Sequence, residues 1–105
     1  MNVIVAGIDD HDIAAAIEAE GHAVSHVDIA NRPGLEEAGI LEADAFVLTE
    51  MEQATTISVA KDLNEDLKVV VYAEGSLPEF ATRQTDLMVD PALLDPEAVA
   101  AELSA

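Results

Sequence analysis

The chain has 105 residues, 50% of them apolar, enough for one hydrophobic core and for one domain spanning residues 1–105. Its 22 Asp and Glu against 4 Lys and Arg give a formal net charge of -18, which excludes the basic groove that nucleic-acid phosphates require. Cysteine is absent, so disulfide frameworks and thiolate metal sites are excluded as well.

In chain order, apolar runs alternate with segments of helical period, the pattern of a parallel βαβ architecture. Asn2 to Ala6 is short and nearly all apolar, as suits a strand buried on both faces. A helix is expected from Asp10 to Glu20, with Ile13, Ala16 and Ile17 inward and Gly21 ending it in the left-handed region. His22 to Asp28 alternates and reads as a strand nearer the sheet edge. Pro33 opens a short helix that Gly39 closes. Ala45 to Thr49 is a third, buried strand. Thr49 and Glu52 have capping-box spacing ahead of the longest helix, Glu50 to Leu63, whose inward stripe is Met51, Ala54, Ile57 and Ala60.

Lys68 to Ala73 is the fourth strand. Ser76 and Glu79 suggest a second capping box for a helix over Pro78 to Arg83. Leu87 to Val89 is a brief fifth strand, and Asp95-Pro96-Glu97 starts the last helix. With aromatics so few, the core falls to Val, Ile, Leu and Ala, with Phe46, Tyr72 and Phe80 as its only large rings.

The acids are spread over every helix and loop instead of forming one face or a tail. Such self-repulsion opposes a compact state unless salt screens it, and the surface reads as that of a protein from a high-salt cytoplasm. No basic, apolar leader marks a signal peptide, and no apolar run reaches the roughly 18–20 residues of a membrane span. A cytoplasmic protein is expected, bound to neither nucleic acid nor membrane.

Several stretches carry a resemblance. They are Gly21-His22-Ala23-Val24 running to Asp28, Leu35 with Ala38-Gly39-Ile40, Ala43-Asp44-Ala45 with Thr49, Ala60-Lys61-Asp62-Leu63-Asn64 before Lys68, and Asp86 to Pro91. In order and spacing they resemble the N-terminal domain of the regulators of potassium conductance, the TrkA-N type, a Rossmann-like module that binds NAD. That resemblance implies a phosphate loop after the first strand, an acid on the adenosine ribose, and pairing of domains through helices as a homodimer.

Gly7 fills the first place of the loop's glycine motif, but Asp9 and Asp12 stand at the second and third. Asp28 matches the ribose-binding acid. A carboxylate at the helix start takes the amides a diphosphate would use and repels it. One helix and strand of that family also have no counterpart between Asp28 and Leu35. The expected fold is therefore α/β: a small, doubly wound, Rossmann- or flavodoxin-like parallel sheet of five strands, order 2-1-3-4-5, with helices on both faces. Its ligand cleft would gather Gly7, Asp9, Asp12, Asp28 and Thr49.

The same strand order is shared by response-regulator receivers, and Asp9-Asp10 resembles their acidic pair. However, Thr49 stands where their phospho-accepting Asp closes the third strand, and Val89-Asp90-Pro91 offers no lysine after the fifth. Phosphoryl transfer of that kind is not expected. Asp9, Asp10 and Glu50 are a candidate cation site, His22, His26 and Asp28 a candidate zinc site, and His11 a candidate general base. The blander roles are a helix cap and exposed histidines. Thr55 and Thr56 are expected to face solvent, and no nucleophile elbow or P-loop occurs.

The reading is a non-catalytic regulatory or protein-interaction domain that has lost NAD binding, with no cofactor, no metal and no catalytic residue assigned. The alternatives are a sensor of a nucleotide or cation at the switch point, and an enzyme of unknown type.

Overall fold

Five parallel strands lie in the order β2-β1-β3-β4-β5, the flavodoxin-like order that places the switch point between β1 and β3. The computed structural model describes residues 1–28 and 30–104. The strands are β1 (Asn2–Ala6), β2 (Ala23–Val27), β3 (Ala45–Leu48), β4 (Lys68–Tyr72) and β5 (Leu87–Val89). Ile29, part of the short connection expected after the second strand, lies outside the described residues.

The central strands β1, β3 and β4 are buried on both faces, which is why their sequences are unbroken apolar runs. Successive side chains feed opposite layers. On one face Ile4, Phe46 and Val69 pack with Leu35, Ile40 and Ile57. That layer is covered by α2 (Arg32–Glu37) and α3 (Thr56–Leu63), with α4 (Glu79–Thr82) contributing Ala81. On the other face Val3, Val47 and Val70 pack with Ile17, Val99 and Leu103, from α1 (Ile13–Ala19) and α5 (Pro96–Ser104).

Local chemistry fixes most of the ends. Asn31 caps α2 by accepting from the Gly34 amide at 2.8 Å, with Pro33 in the first turn. Asp95 caps α5 through the Ala98 amide at 2.9 Å. Gly21 and Gly39 follow α1 and α2 with positive φ.

Several local expectations need correction. The first helix starts at Ile13 instead of Asp10, because Asp12 sits in the left-handed region at φ 58°. The longest helix is broken into a 3-10 turn at Met51–Gln53 and α3 proper. Thr49 makes no capping box there, since its hydroxyl donates back to the Ala6 carbonyl of β1 at 3.0 Å. The second box also fails: Pro78 is the residue before α4, and it has no side-chain acceptor. Phe80 is 47% exposed on that four-residue helix, so the core has two large rings, Phe46 and Tyr72. Thr56 is buried instead of solvated, its hydroxyl donating to the Gln53 carbonyl at 2.7 Å.

Candidate functional site

A cleft of about 340 Å³ opens at the carboxyl ends of β1, β3, β4 and β5. Its walls come from strand ends and the loops that follow them, where the chain leaves the sheet and its side chains become free to converge. After β1 come Ile8, Asp10 and His11; after β3, Thr49, Glu50 and Glu52. Tyr72 at the end of β4 and Glu74 just after it bound the cleft, with Pro91 beyond β5. Tyr72 is buried at its floor, donates its hydroxyl to the Leu94 carbonyl at 2.8 Å, and meets the edge of the His11 ring at 5.8 Å. Burial pushes the Tyr72 phenol above its ordinary value, and the Asp95 and Glu97 carboxylates add to the rise.

The loop after β1 is held by carboxylates. Asp9 accepts from the Ile13 amide at 2.7 Å and the Ala14 amide at 3.1 Å, so it caps α1 although it lies three residues before the left-handed Asp12. Glu50 accepts from the Ile8 amide at 2.7 Å, tying the β3 exit to the β1 exit. Gly7 passes beneath them at φ 104°; a Cβ there would lie 2.5 Å from Thr49 Oγ1. Replacing Asp9 by alanine is expected to cost about 1 kcal/mol, the usual size of a lost cap. Thermal denaturation should show that as a fall of roughly 4–8 °C, with a smaller fall for Asp9→Asn, which keeps an acceptor oxygen.

Of the residues expected to form the cleft, Thr49 lines it, joined by Asp10, Glu50 and His11. Gly7 supports it from below, and Asp9 is turned into the start of α1. Asp12 makes no cap bond. Asp28 lines a separate hollow beside β2 with Ser25, His26 and Gly34. The proposed zinc trio is not assembled: His22 bonds Ser104 Oγ at 2.7 Å, while His26 bonds the Gly7 carbonyl at 2.6 Å and lies 3.9 Å from Asp28. Among the described residues no group of three or more such side chains could hold a metal ion. Sequence reasoning missed Tyr72, Glu74 and Pro91, which the rule for strand ends in open α/β sheets would have supplied.

Electrostatically the cleft is one-sided. Asp10, Glu50, Glu52 and Glu74 line it, and among the described residues no lysine or arginine does. At the exits of β3 and β5 stand two polar side chains that are engaged locally. Thr49 presents a hydroxyl committed to Ala6, and Asp90 turns its carboxylate to the Ala92 amide at 2.8 Å.

A family model described as "Family of unknown function (DUF7126)" matches residues 3–103. The chain belongs to that family. No protein of curated function matches this member. Its fold is similar to solved response regulators. HP1043, an orphan response regulator of H. pylori, aligns over 99% of this chain and 93% of its own, with a TM-score of 0.76 at 15% identity. A CheY-like receiver domain protein from Methanospirillum hungatei JF-1 aligns over 98% of this chain and 90% of its own, with a TM-score of 0.68 at 15% identity. An atypical orphan response regulator, reported to reveal a phosphorylation-independent regulatory mechanism, aligns over 99% and 92% at 0.72 and 16% identity. At such identities the likeness is one of fold.

These findings overturn the resemblance to the potassium-conductance regulators. The stretches that suggested it, such as Gly21 to Asp28 and Ala60 to Lys68, are a helix stop before a strand and a helix running into a strand. Any parallel α/β sheet needs both. The helix and strand that looked deleted are simply not part of a 2-1-3-4-5 sheet. The view of Asp9 and Asp12 as replacements in a lost NAD loop falls with it. Among the described residues, no helix is long and apolar enough to cross a membrane.

Proposed function

We propose that residues 1–105 form one non-catalytic regulatory domain, a receiver-type scaffold that acts through protein contacts and takes up no phosphoryl group. The observation that carries this reading is the pair Thr49 and Asp90. At the end of β3 a carboxylate nucleophile is replaced by a hydroxyl bonded to the neighbouring strand, and after β5 a cation is replaced by an anion. A phosphoryl group carries close to two negative charges at neutral pH, and Asp10, Glu50, Glu52 and Glu74 would all face it. The same charge opposes a nucleotide in this cleft. The reading agrees with a fold shared by regulators, one of them described as phosphorylation-independent. The unpaired acids belong with a salt-rich cytoplasm and not with nucleic acid.

The test is exposure to acetyl phosphate, and separately to beryllofluoride, with Mg²⁺ in about 2 M KCl, where the Debye length is only a few ångströms. Intact mass should show no phosphoryl adduct and the melting temperature should not move. A stable adduct on any acid of the cleft would refute the proposal.

A further inference from the structure

The strand β2 is an open edge. Ala23, Ser25 and His26 are exposed, and among the described residues no other strand adjoins β2 on the side away from β1. The Ala23 amide donates to the Met1 carbonyl and the Val27 carbonyl accepts from Gly7, so the odd-numbered residues spend their backbone groups on β1. By alternation the N–H and C=O of Val24 and His26 point outward. Open edges are ordinarily blunted with charge, proline or a bulge. Here a chain of net charge -18 places no acid, lysine, arginine or proline from Gly21 to Val27, although Glu20 and Asp28 bracket the segment. The opposite edge strand, β5, has only three residues between Asp86 and Asp90.

The geometry points to this edge as the surface on which two copies of the chain pair, β2 against β2 in antiparallel sense, giving one continuous ten-stranded sheet. Two-fold symmetry with four backbone hydrogen bonds selects a register. Val24 exchanges both bonds with His26 of the partner subunit, His26 does the same with Val24 of the partner subunit, and Ser25 lies on the dyad facing Ser25 of the partner subunit. Continued outward, that register sets Asp28 opposite His22 of the partner subunit. It holds the two Asp28 carboxylates about 20 Å apart, six steps of roughly 3.4 Å along the strand. Along the paired strands, acid therefore lies opposite imidazole. Ser25 lines the shallow hollows beside Ala38, Gly39 and Glu42 on one side and beside Gly34 and Glu37 on the other, which leaves room next to the dyad and places two carboxylates of each copy near it, a repulsion that concentrated salt screens. A second copy is the occupant because the edge is complementary to itself in backbone hydrogen bonding and the strand carries no acid, lysine or arginine to oppose its own image. This goes beyond the reading of the cleft and does not depend on it.

Sedimentation equilibrium in about 2 M KCl should give a doubled mass for the wild-type chain. Ser25→Asp and Ser25→Lys, each setting like charges face to face on the dyad, should weaken dimerisation about fivefold or more. An equal mixture of the two should restore it. Because the chain has no cysteine, Ser25→Cys should crosslink cleanly on oxidation, the roughly 4.5 Å Cα separation of such a pair falling within disulfide range. Circular dichroism of the exposed Ser25 variants checks that they fold. A chain that stays monomeric, a dimer indifferent to Ser25→Asp, or a dimer in which Ser25→Cys does not crosslink each overturns the proposal. The phosphoryl test of the cleft can succeed or fail regardless.

Discussion

Alanine in place of Gly7 should unfold the protein roughly 12–24 °C below the wild type, the equivalent of about 3 kcal/mol in a chain of this length. Two costs add. The backbone at φ 104° is a region side chains rarely adopt, worth of order 1–3 kcal/mol when forced. The new methyl would also meet Thr49 Oγ1 at 2.5 Å and Glu50 Cγ at 3.0 Å, and overpacking of that kind costs about 1–3 kcal/mol. The components separate in a double-mutant cycle. Thr49→Ala removes the hydroxyl that blocks the methyl, so the double variant should be less destabilised than the two single changes summed. A fall below about 4 °C for Gly7→Ala, under 1 kcal/mol, would mean that the β1 and β3 exits are not packed as described.

Raising KCl from about 0.05 M to about 2 M should lift the melting temperature by roughly 20 °C. The described cationic side chains engage few of the 22 acids: Arg32 pairs with Asp62 at 2.7 Å, Arg83 with Glu79 at 3.1 Å, and His26 lies 3.9 Å from Asp28. Such exposed pairs contribute little. Two unit charges about 10 Å apart repel by roughly 0.4 kcal/mol in water, so on the order of ten neighbouring carboxylate pairs amount to about 4 kcal/mol. Shrinking the Debye length from about 10 Å at 0.1 M to about 3 Å at 1 M removes most of that. Equal melting temperatures at both salt concentrations would leave the charge of -18 without this explanation.

The strand order, both core faces and most helix stops were legible in the sequence because each rests on short-range chemistry. The unbroken apolar runs at Val3 to Ala6 and Val69 to Tyr72 demand burial on both faces, and Gly21 and Gly39 mark reversals only glycine makes easily. Long-range competition was not legible. Thr49 has the spacing of a cap, yet its hydroxyl is taken by Ala6, a residue 43 positions earlier. Asp9 was assigned to the mouth of a cleft, but the amides of Ile13 and Ala14 turn it inward once Asp12 adopts its left-handed conformation. The part of the cleft formed by Tyr72, Ala73, Glu74 and Pro91 carried no binding signature and is defined only by where strands end. The family resemblance misled for a related reason. Its matching stretches were constraints of the architecture, which parallel α/β chains share whatever they bind.

The ring at the floor of the cleft has an optical consequence. Tyr72 is the sole tyrosine in a chain without tryptophan, so near-ultraviolet emission comes from one buried residue whose edge-on neighbour is His11. Whatever enters the cleft, or displaces Leu94 from its bond to the phenol, registers in that single signal without a dye or a label.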